Sequence, residues 1–489
     1  MAMMGKQQQP QNSLFYVGIN IDNRVRTNHP LRRVHELIDF DFAYSEVKDC
    51  YGHNGNVSIP PPVILKLMLL LIFYNVRSER ELMDTLPERL DWLWFLGYDL
   101  DTEIPNHSVL SKARRKWGSE VFQSFFERIV LQCVEAGLVD GRKIFIDSSL
   151  VDANASNNSI VDTRNLKHQV RNNYKKLEAR LTELDERNSF SSKKNDRYMS
   201  TTDPDSAIVN RGKPKLSYQV HRAVDGKNEI ITATDTTPGD VNEAHLMLPL
   251  FEKHREATGT KAETIVADSK YGTIDNFLAC HDKGIKAHIP DLREALSKGQ
   301  RKGRIFSDGH FLYDSEGDTY LCPAGNLLRP KSLHMNRQSR DYSAPKKVCF
   351  ACQLREQCTK NKAGRTIKRH LRQEELDLMR KASRLAQSKR DLKTRQHLME
   401  RSFARATRYS FDRARWRGLW KMRIQEYLVC TIQNIQVLIN QRAKTKRSDA
   451  VSVTTMKSVA TRALSNLLRM PNALLFGQIY FERFYFQRT

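Results

Sequence analysis

The chain has 489 residues and a formal net charge of +24, from 80 Lys and Arg against 56 Asp and Glu. A charge excess of this size in a long chain is typical of proteins that contact a polyanion, although a soluble basic enzyme also fits. The longest apolar run, residues 67–73, is too short to cross a bilayer, which excludes a membrane-spanning protein.

Residues 1–140 are predicted to form an N-terminal helical region. Prolines at 60–62 precede an apolar run, as at a helix start, and later apolar residues recur at three- and four-residue spacing. Asn106 or Ser108 is placed to cap a helix that carries three basic residues, Lys112, Arg114 and Arg115. Short helices that end in a basic cluster are typical of a DNA-binding module.

Residues 141–290 change to a mixed α/β pattern. Strands are predicted in "KIFIDSSLV", "AETIVADSKYG" and "IKAHIP", with a hairpin at Asp225 and Gly226 and a helix in "VNEAHLMLPLFEKHREATG". A polar helical insert with a heptad-like apolar seam is predicted at about residues 160–200. This order predicts a mixed α/β fold with at least one hairpin rather than a regular doubly wound sheet.

The remaining chain divides by composition into three parts. Residues 291–362 are polar and contain four cysteines, and residues 363–440 are basic and predicted to be helical. Residues 441–489 are predicted to be a charged linker and a short tail.

The positive charge is concentrated in the later part of the chain. Residues 359–447 contain 25 Lys and Arg against seven Asp and Glu, a net of +18. Aromatic residues are interleaved with the end of this segment: Tyr409, Phe411, Trp416, Trp420 and Tyr427. This mixture suits contact with phosphates and stacking on bases, and the alternative is a solvated basic helix face.

Two apolar runs lead directly into aspartates, Asp147 and Asp268. A carboxylate at the end of a buried strand is poorly solvated, and two such groups side by side repel each other unless a divalent cation lies between them. Mg²⁺ prefers oxygen ligands, and two ions can hold the attacking and leaving oxygens of a phosphoryl displacement. On a basic chain this pattern favours phosphodiester chemistry on nucleic acid; the alternative is that each aspartate caps the turn after it.

Four cysteines lie in the polar segment, in "YLCPAG" and "VCFACQLREQC": Cys322, Cys349, Cys352 and Cys358. The pair Cys349 and Cys352 has the C-x₂-C spacing of a metal knuckle, and the other two could complete a Cys₄ set for structural Zn²⁺. The alternative is four reduced thiols, some of them buried as small apolar groups.

Several blocks resemble the catalytic domain of bacterial insertion-sequence transposases of the DDE class. They are "DSSLVDANAS", "VADSKYGTIDN", the segment from "STTDPDSAIVN" to "EAHLMLPL", and "RQHLMERSFARATRYSFDRARWRGLWKMRIQEYLVCTIQNIQVL". They occur in the family's order, from about residue 58 to residue 439. The resemblance implies an RNase H-like catalytic core with an N-terminal helical domain and a Cys-rich insertion before the last catalytic helix.

The resemblance also implies three catalytic carboxylates that bind Mg²⁺ or Mn²⁺: Asp147, Asp268 and Glu400. Glu400 belongs to "ERSF", where Ala404 replaces a common Gly and Thr407 replaces a common Lys. Basic residues near the glutamate and in the following segment are expected to contact the DNA backbone. They are Arg401, Arg405, Arg408, Arg415 and Arg417.

The sequence therefore predicts a DNA transposase that binds the ends of its insertion sequence, cuts the DNA and joins the 3′ ends to target DNA by two-metal phosphoryl transfer. The expected partners are the terminal inverted repeats, the target DNA and a second copy of the chain, without a membrane, in the bacterial cytoplasm at the nucleoid. Two alternatives stay open: an RNase H-like metal-dependent nuclease without strand transfer, and an inactive zinc-stabilised DNA-binding regulator.

Overall fold

The computed structural model describes residues 20–52, 57–163, 194–292 and 305–441. By its contacts the chain forms one unit, Met1–Val437, and a second, Leu438–Thr489, of which only the end of a helix is described. The described ranges combine helices with two larger sheets, so the predicted mixed α/β class is confirmed. No helix within them is long and apolar enough to cross a membrane.

The described part of the N-terminal region contains eight helices, as its apolar spacing predicts. They are α1 (Ile21–Arg24), α2 (Pro30–Leu37), α3 (Phe42–Glu46), α4 (Pro61–Phe73), α5 (Glu79–Thr85), α6 (Leu90–Leu96), α7 (Ser108–Trp117) and α8 (Glu120–Glu135). Helix α4 begins with two prolines, whose fixed φ suits the first helical turn, and it is buried up to its last residue. Burial also lowers the pKa of Lys66 to about 8, and its ammonium lies over the rings of Phe40 and Phe95.

The middle of the chain forms strands and three further helices. The strands are β1 (Lys143–Asp152), β2 (Ile160–Asp162), β3 (Tyr198–Ser200), β4 (Ala207–Arg211), β5 (Lys213–Asp225), β6 (Ile231–Pro238), β7 (Thr264–Val266) and β8 (Lys286–His288). The helices are α9 (Lys194–Arg197), α10 (Met247–Thr258) and α11 (Ile274–Asp282). The predicted hairpin is present as β5 and β6, and the predicted helical insert lies mostly outside the described residues, with β2, α9 and β3 at its two ends.

Six of these strands make the main sheet. In space β6, β5, β1, β7 and β8 are successive neighbours, and β4 also pairs with β5. The pairs of β6 with β5 and of β5 with β1 are antiparallel, whereas β1, β7 and β8 run parallel to one another. Because β7 and β8 are separated by α11, their parallel pairing is made through a helical crossover.

The cysteine-bearing segment folds as a second sheet. Its antiparallel strands are β9 (Leu312–Asp314), β10 (Thr319–Leu321), β11 (Leu327–His334), β12 (Ser339–Ser343) and β13 (Thr366–His370), with α12 (Lys346–Phe350) and α13 (Arg355–Cys358) before the last strand. The sequence predicted no strands here and assigned residues 363–370 to a helical region, which is wrong because β13 pairs with β12. These strands are short and largely exposed, so no apolar alternation marks them.

Three helices complete the described chain, in the region that the sequence predicts to be basic and helical. They are α14 (Gln373–Ser383), α15 (Ala386–Thr407) and α16, which begins at Leu419 and is described to Gln441. The predicted linker and tail, residues 441–489, lie outside the described residues apart from Gln441.

The two faces of the main sheet are covered by different helices. Ile144 and Ile146 of β1 face an apolar core that they form with α10, α11 and α14. Asp147 and Arg222 are partners in the register of β1 and β5, and both reach α15 on the other face. The side chain of Asp147 is therefore directed away from the apolar core and towards the basic helix.

A buried ion pair joins the sheet to the last helix. Arg222 of β5 and Glu426 of α16 are 0% and 1% exposed, and they form two hydrogen bonds of 2.6 and 2.9 Å. Thr234 donates a further hydrogen bond to the Glu426 carboxylate, and the second arm of Arg222 donates to Ser402 of α15. One arginine thus connects β5, α15 and α16.

Candidate active site

Asp147 lies in the middle of β1, whereas the sequence predicts it at a strand end. The strand continues to Asp152 because residues 148–152 pair with residues 217–221 of β5. The predicted strand "KIFIDSSLV" already includes this continuation, so only the strand-end position of Asp147 differs from the prediction. Asp268 follows β7 by two residues, so it does lie at a strand end as predicted.

The two aspartates lie level with each other on neighbouring parallel strands. The register of β1 and β7 places Phe145 beside Val266, and two residues further along each strand come Asp147 and Asp268. Neighbouring strands are about 4.8 Å apart, so the two carboxylates can share one ligand. The sequence prediction that these two residues come together is therefore supported by the register of the sheet.

The environment of Asp147 raises the pKa of its carboxyl group. Burial is the largest cause, and the negative charge of Asp268 acts in the same direction. Arg395 of α15 and the backbone N–H of Ser148 oppose the rise. Arg395 donates from Nη1 to Asp147 Oδ2 across 2.5 Å, and the Ser148 N–H donates to Oδ1 across 2.8 Å.

Asp268 also caps the turn that follows it. Its Oδ1 accepts a hydrogen bond of 2.9 Å from the backbone N–H of Lys270, in the short helical turn Ser269–Tyr271. The capping role that the sequence left open is thus real, but it uses one carboxylate oxygen. Capping and cation binding by Asp268 do not exclude each other.

A buried glutamate, Glu243, connects the segments that carry the two aspartates. It is 6% exposed and contacts the hydroxyl of Ser148, the residue after Asp147, and the ammonium of Lys270, two residues after Asp268. Gln219 of β5 donates a 2.7 Å hydrogen bond to the same serine hydroxyl. Sequence reasoning missed Glu243 because its contacts are distant along the chain and no local pattern marks it.

The third predicted carboxylate, Glu400, lies on α15 but is not joined to the aspartates. It is exposed and accepts a 3.1 Å hydrogen bond from Gln396, one turn earlier on the helix. Its neighbours Leu398 and Met399 are buried against the sheet. The residue of α15 that reaches Asp147 is Arg395, which the sequence did not single out.

The predicted DNA-binding arginines of α15 are exposed or lie at the surface. Arg401 and Arg405 pair with Glu229, in the loop between β5 and β6, at 2.5 and 2.6 Å, and Arg408 is exposed. Arg417 is also exposed, and its Nε donates to the backbone oxygen of Asn154. These side chains form a basic surface beside the last helices.

Among the predicted basic residues of α7, the structure separates Arg114 from the other two. Lys112 and Arg115 are exposed, whereas Arg114 is 3% exposed, lies over the ring of Trp416 and pairs with Glu79. Arg114 is therefore turned inward, unlike its two neighbours, and the DNA contact predicted for it stays a prediction.

Arg415 is also held within the chain. Its Nη1 donates to the backbone oxygen of Val76 and its Nη2 donates to Asn75 Oδ1, so it joins the loop after α4 to the segment before α16. This link holds the Arg415 side chain in place, and the DNA contact predicted for it stays a prediction.

The four predicted zinc ligands come together beside the second sheet. Cys322, Cys349 and Cys358 pack against its core. Burial raises the pKa of the Cys358 thiol; Arg365 opposes the rise, and the charges of the other three cysteines, Cys352 included, add to it. The backbone N–H of Asn326 donates a hydrogen bond to Cys322 Sγ across 3.3 Å. All four cysteines are free of disulfides.

One group of three ligand atoms lies within 4.8 Å in the part of the chain that the structure describes: His281, Asp282 and Glu375. Arg372 pairs with both carboxylates of this group, and the residues are at or near the surface. Because the arginine already balances their charge, the cluster is explained as an ion-pair network between α11 and α14. Neither the catalytic carboxylates nor the cysteines are drawn together that tightly in the described ranges.

Comparison with known proteins gives two family matches. Residues 19–116 match the family described as "Transposase domain (DUF772)", and residues 321–439 match the family described as "Transposase DDE domain". No curated protein matches the chain. A solved piggyBac transposase, in a synaptic complex with hairpin DNA, is similar over 91% of this chain and 80% of its own, with 9% identity and a TM-score of 0.35. The two family matches, one near each end of the described chain, support an insertion-sequence transposase of the DDE class.

Proposed function

We propose that this protein is an active DNA transposase that binds the ends of its own insertion sequence, cuts the DNA there and joins the freed 3′ ends to target DNA. The observation that carries the proposal is the pair of carboxylates, Asp147 and Asp268, level on neighbouring parallel strands beside the basic helix α15. Such a pair at a basic surface suits chemistry on a phosphodiester.

The main sheet supports an RNase H-like assignment for the catalytic core. Three antiparallel strands, β6, β5 and β1, are followed by two strands parallel to β1, with Asp147 on the central strand. The other parts proposed are the N-terminal helical region, 1–140, the insertion with the second sheet, 291–362, and the basic end of the core, 363–440. By its strand pairing the insertion is better ended at His370.

The carboxylate pair fits a divalent cation. Burial and the charge of Asp268 both disfavour ionised Asp147, and a cation between the two would remove this conflict. Asp147, Asp268 and Glu400 would hold Mg²⁺ or Mn²⁺, and Glu400 would have to turn from its bond with Gln396 towards the pair. The bound ions would supply activated water and would stabilise the developing charge on the phosphoryl group.

The chain's own residues prepare this site in two ways. Arg395 balances the charge of Asp147, and its guanidinium would be available to a DNA phosphate if a bound cation took over that role. Glu243 fixes the residue after Asp147 and the turn after Asp268 at once, so that the two carboxylates keep their relative position. Neither residue needs to touch the scissile bond to act in this way.

DNA contact is proposed for the exposed basic residues of α7, α15 and the segment after it. These are Lys112, Arg115, Arg401, Arg405, Arg408 and Arg417. Because both ends of an element must be held together, the working complex is proposed to contain two copies of the chain.

Structural Zn²⁺ is proposed for the cysteine cluster. The other three cysteines lie close enough to Cys358 to affect its pKa, and the Asn326 N–H donates to Cys322 Sγ. Both observations fit a Cys₄ site. The ion would hold β10 to the segment around α12 and α13.

The test of the proposed function is incubation of the protein with DNA that carries its element ends, a target plasmid and Mg²⁺, followed by sequencing of the products. Strand-transfer junctions are the expected result. Cleaved ends without junctions would instead assign an RNase H-like nuclease, and DNA binding that is independent of divalent metal, without cleavage, would assign a DNA-binding regulator.

A further inference from the structure

A cleft opens where the N-terminal helices meet the segment before α16. Its walls come from the end of α4, the first turn of α5, one side of α7 and the chain around residues 415–421. Most of the ionisable side chains that line it are basic: Arg77, Arg80, Arg114, Arg415 and Lys421. We call it the junction cleft.

Arg114 is the most deeply placed of these residues. It is 3% exposed, and although Nη2 pairs with Glu79, its Nε and Nη1 groups are buried without a hydrogen-bond partner. Burial lowers the pKa of this guanidinium, with Glu79 opposing the change. Buried cationic donors without an acceptor are unfavourable. A ligand that brought oxygen acceptors into the cleft would therefore be stabilised there.

The lining carboxylate, Glu79, does not accept from these two unpaired Arg114 groups. The same oxygen that pairs with Arg114 also accepts a hydrogen bond from Trp416 Nε1 at 3.2 Å. Trp416 in turn covers one face of the Arg114 guanidinium at 4.1 Å, which fixes its plane. Arg415 is anchored by Val76 and Asn75, and its Nε is a further buried donor without a partner.

Arg77 and Arg80 extend the positive charge outward, since both are exposed at the rim. The cleft therefore has exposed cations at its rim and buried, partly unpaired guanidinium groups inside. An anion with several oxygens is the ligand that this arrangement suits, because guanidinium groups hold phosphate oxygens with paired hydrogen bonds.

We infer that the junction cleft is a phosphate-binding site that takes a phosphodiester group of bound DNA. The inference rests on the proposed function, because DNA is the polyanion that a transposase must hold. The cleft joins the N-terminal helices to the segment that leads into α16, so a DNA strand bound there would contact both of these parts at once. Arg114 then acts from inside the cleft and not from the outer face of α7.

The test uses two serines with matched surroundings. Ser111 lines the cleft and Ser45 lies on α3; both are exposed, and each hydroxyl donates to the carbonyl oxygen three residues earlier. Ser111→Glu places a negative charge in the cleft, and Ser45→Glu adds the same charge elsewhere in the same region. Binding of a fluorescein-labelled DNA duplex of arbitrary sequence is measured by anisotropy over a series of salt concentrations, with thermal unfolding measured in parallel.

We expect Ser111→Glu to weaken DNA binding by about tenfold or more and to reduce the slope of log affinity against log salt by about one, with Ser45→Glu close to wild type. Arg80→Gln should change both quantities in the same direction, which keeps the test decisive if Ser111→Glu lowers the melting temperature. A competition experiment with inorganic phosphate distinguishes two kinds of site. A site for free anions would be saturated by inorganic phosphate, whereas a site for a DNA phosphodiester would need the DNA strand.

Equal DNA binding by Ser111→Glu, Arg80→Gln and Ser45→Glu would overturn the inference and leave the proposed function intact. Saturation of the site by inorganic phosphate at concentrations that leave DNA binding unchanged would overturn it as well. Wild-type protein that fails to bind or cut DNA would instead count against the proposed function itself.

Discussion

Arg395 donates a hydrogen bond from Nη1 to Oδ2 of Asp147 across 2.5 Å, which ties the basic helix α15 to the central strand of the main sheet. The guanidinium offsets part of the repulsion between Asp147 and Asp268. A divalent cation would compete with Arg395 for the same carboxylate. Metal binding and the position of α15 are therefore coupled through this contact.

The two aspartates are expected to be essential for cleavage but not for DNA binding. Asp147→Asn and Asp268→Asn should each abolish strand cleavage, because each removes one negative oxygen ligand from the pair. Asp152→Asn is the matched control, since it lies on the same strand and pairs at the surface with Lys215. Gel analysis of DNA products with a parallel binding assay checks the result, and cleavage near the wild-type rate by either active-site variant would contradict it.

The raised pKa of Asp147 predicts a pH-dependent stability. A carboxyl group whose pKa is higher in the folded state makes the protein less stable as the pH rises from about 3.9, the usual value, through the raised value. In chelator-treated protein, Asp147→Asn should therefore raise the melting temperature at neutral pH, and the gain should vanish in acid. Thermal unfolding across this pH range measures it.

Asp391 provides the control for that experiment, because its pKa shift has the opposite sign. Burial raises the pKa of Asp391, but its contacts with Lys143 and His288 outweigh burial and lower the pKa overall. Asp391→Asn should lower the melting temperature at neutral pH, with the loss disappearing as the pH falls. If both variants stabilised the protein, burial alone would determine the pKa values of these two carboxyl groups.

Glu400→Gln is expected to abolish cleavage without affecting the fold. The side chain is exposed and bonded locally to Gln396. Its replacement should therefore change the free energy of unfolding by less than about 0.5 kcal/mol. Glu374→Gln, also exposed and paired with Arg369, is the matched control and should retain cleavage. Full cleavage by Glu400→Gln would mean that another residue is the third metal ligand, and it would not affect the assignment of the two aspartates.

Glu426→Gln should instead destabilise the protein. Glu426 is buried against Arg222, and its replacement leaves a buried guanidinium without its counter-charge. The expected loss is about 3–5 kcal/mol in the free energy of unfolding. Denaturant unfolding measures it; a loss below about 1 kcal/mol would mean that water reaches this pair.

The cysteine cluster is expected to contain about one zinc per chain. Cys349→Ser and Cys352→Ser should each reduce the zinc content and increase proteolysis around α12 and α13. Cys133→Ser is the control, since this thiol is buried in α8, outside the cluster. Metal analysis that finds no zinc in protein that still cleaves DNA would assign the four residues as reduced thiols.

The parts of the fold that were predictable from sequence are those with strong local patterns. The apolar runs before Asp147 and Asp268 predict buried strands, and α10 and the hairpin at Asp225 follow from apolar spacing and turn residues. The strand predicted in "KIFIDSSLV" ends within one residue of β1. The strand-end position predicted for Asp147 is wrong, because residues 148–152 continue the pairing with β5.

The parts that were not predictable depend on residues far apart in the chain. Glu243 contacts both aspartate segments only once α10 has packed on the sheet. Arg395 cannot be told from the other arginines in the sequence, because only the orientation of α15 directs it towards Asp147. Arg114 belongs to a basic run that looks uniformly exposed, and only packing against Trp416 separates it from its neighbours.

The buried pair of Arg222 and Glu426 also bears on when the protein can fold during its synthesis. The arginine is made some 200 residues before its counter-charge, so until α16 emerges from the ribosome β5 carries a guanidinium that resists burial. We expect nascent chains that end before Glu426 to leave the main sheet unformed and to be degraded readily by protease, whereas chains that extend past α16 should resist it. A half-made chain would then lack the ordered sheet that holds Asp147 and Asp268 side by side.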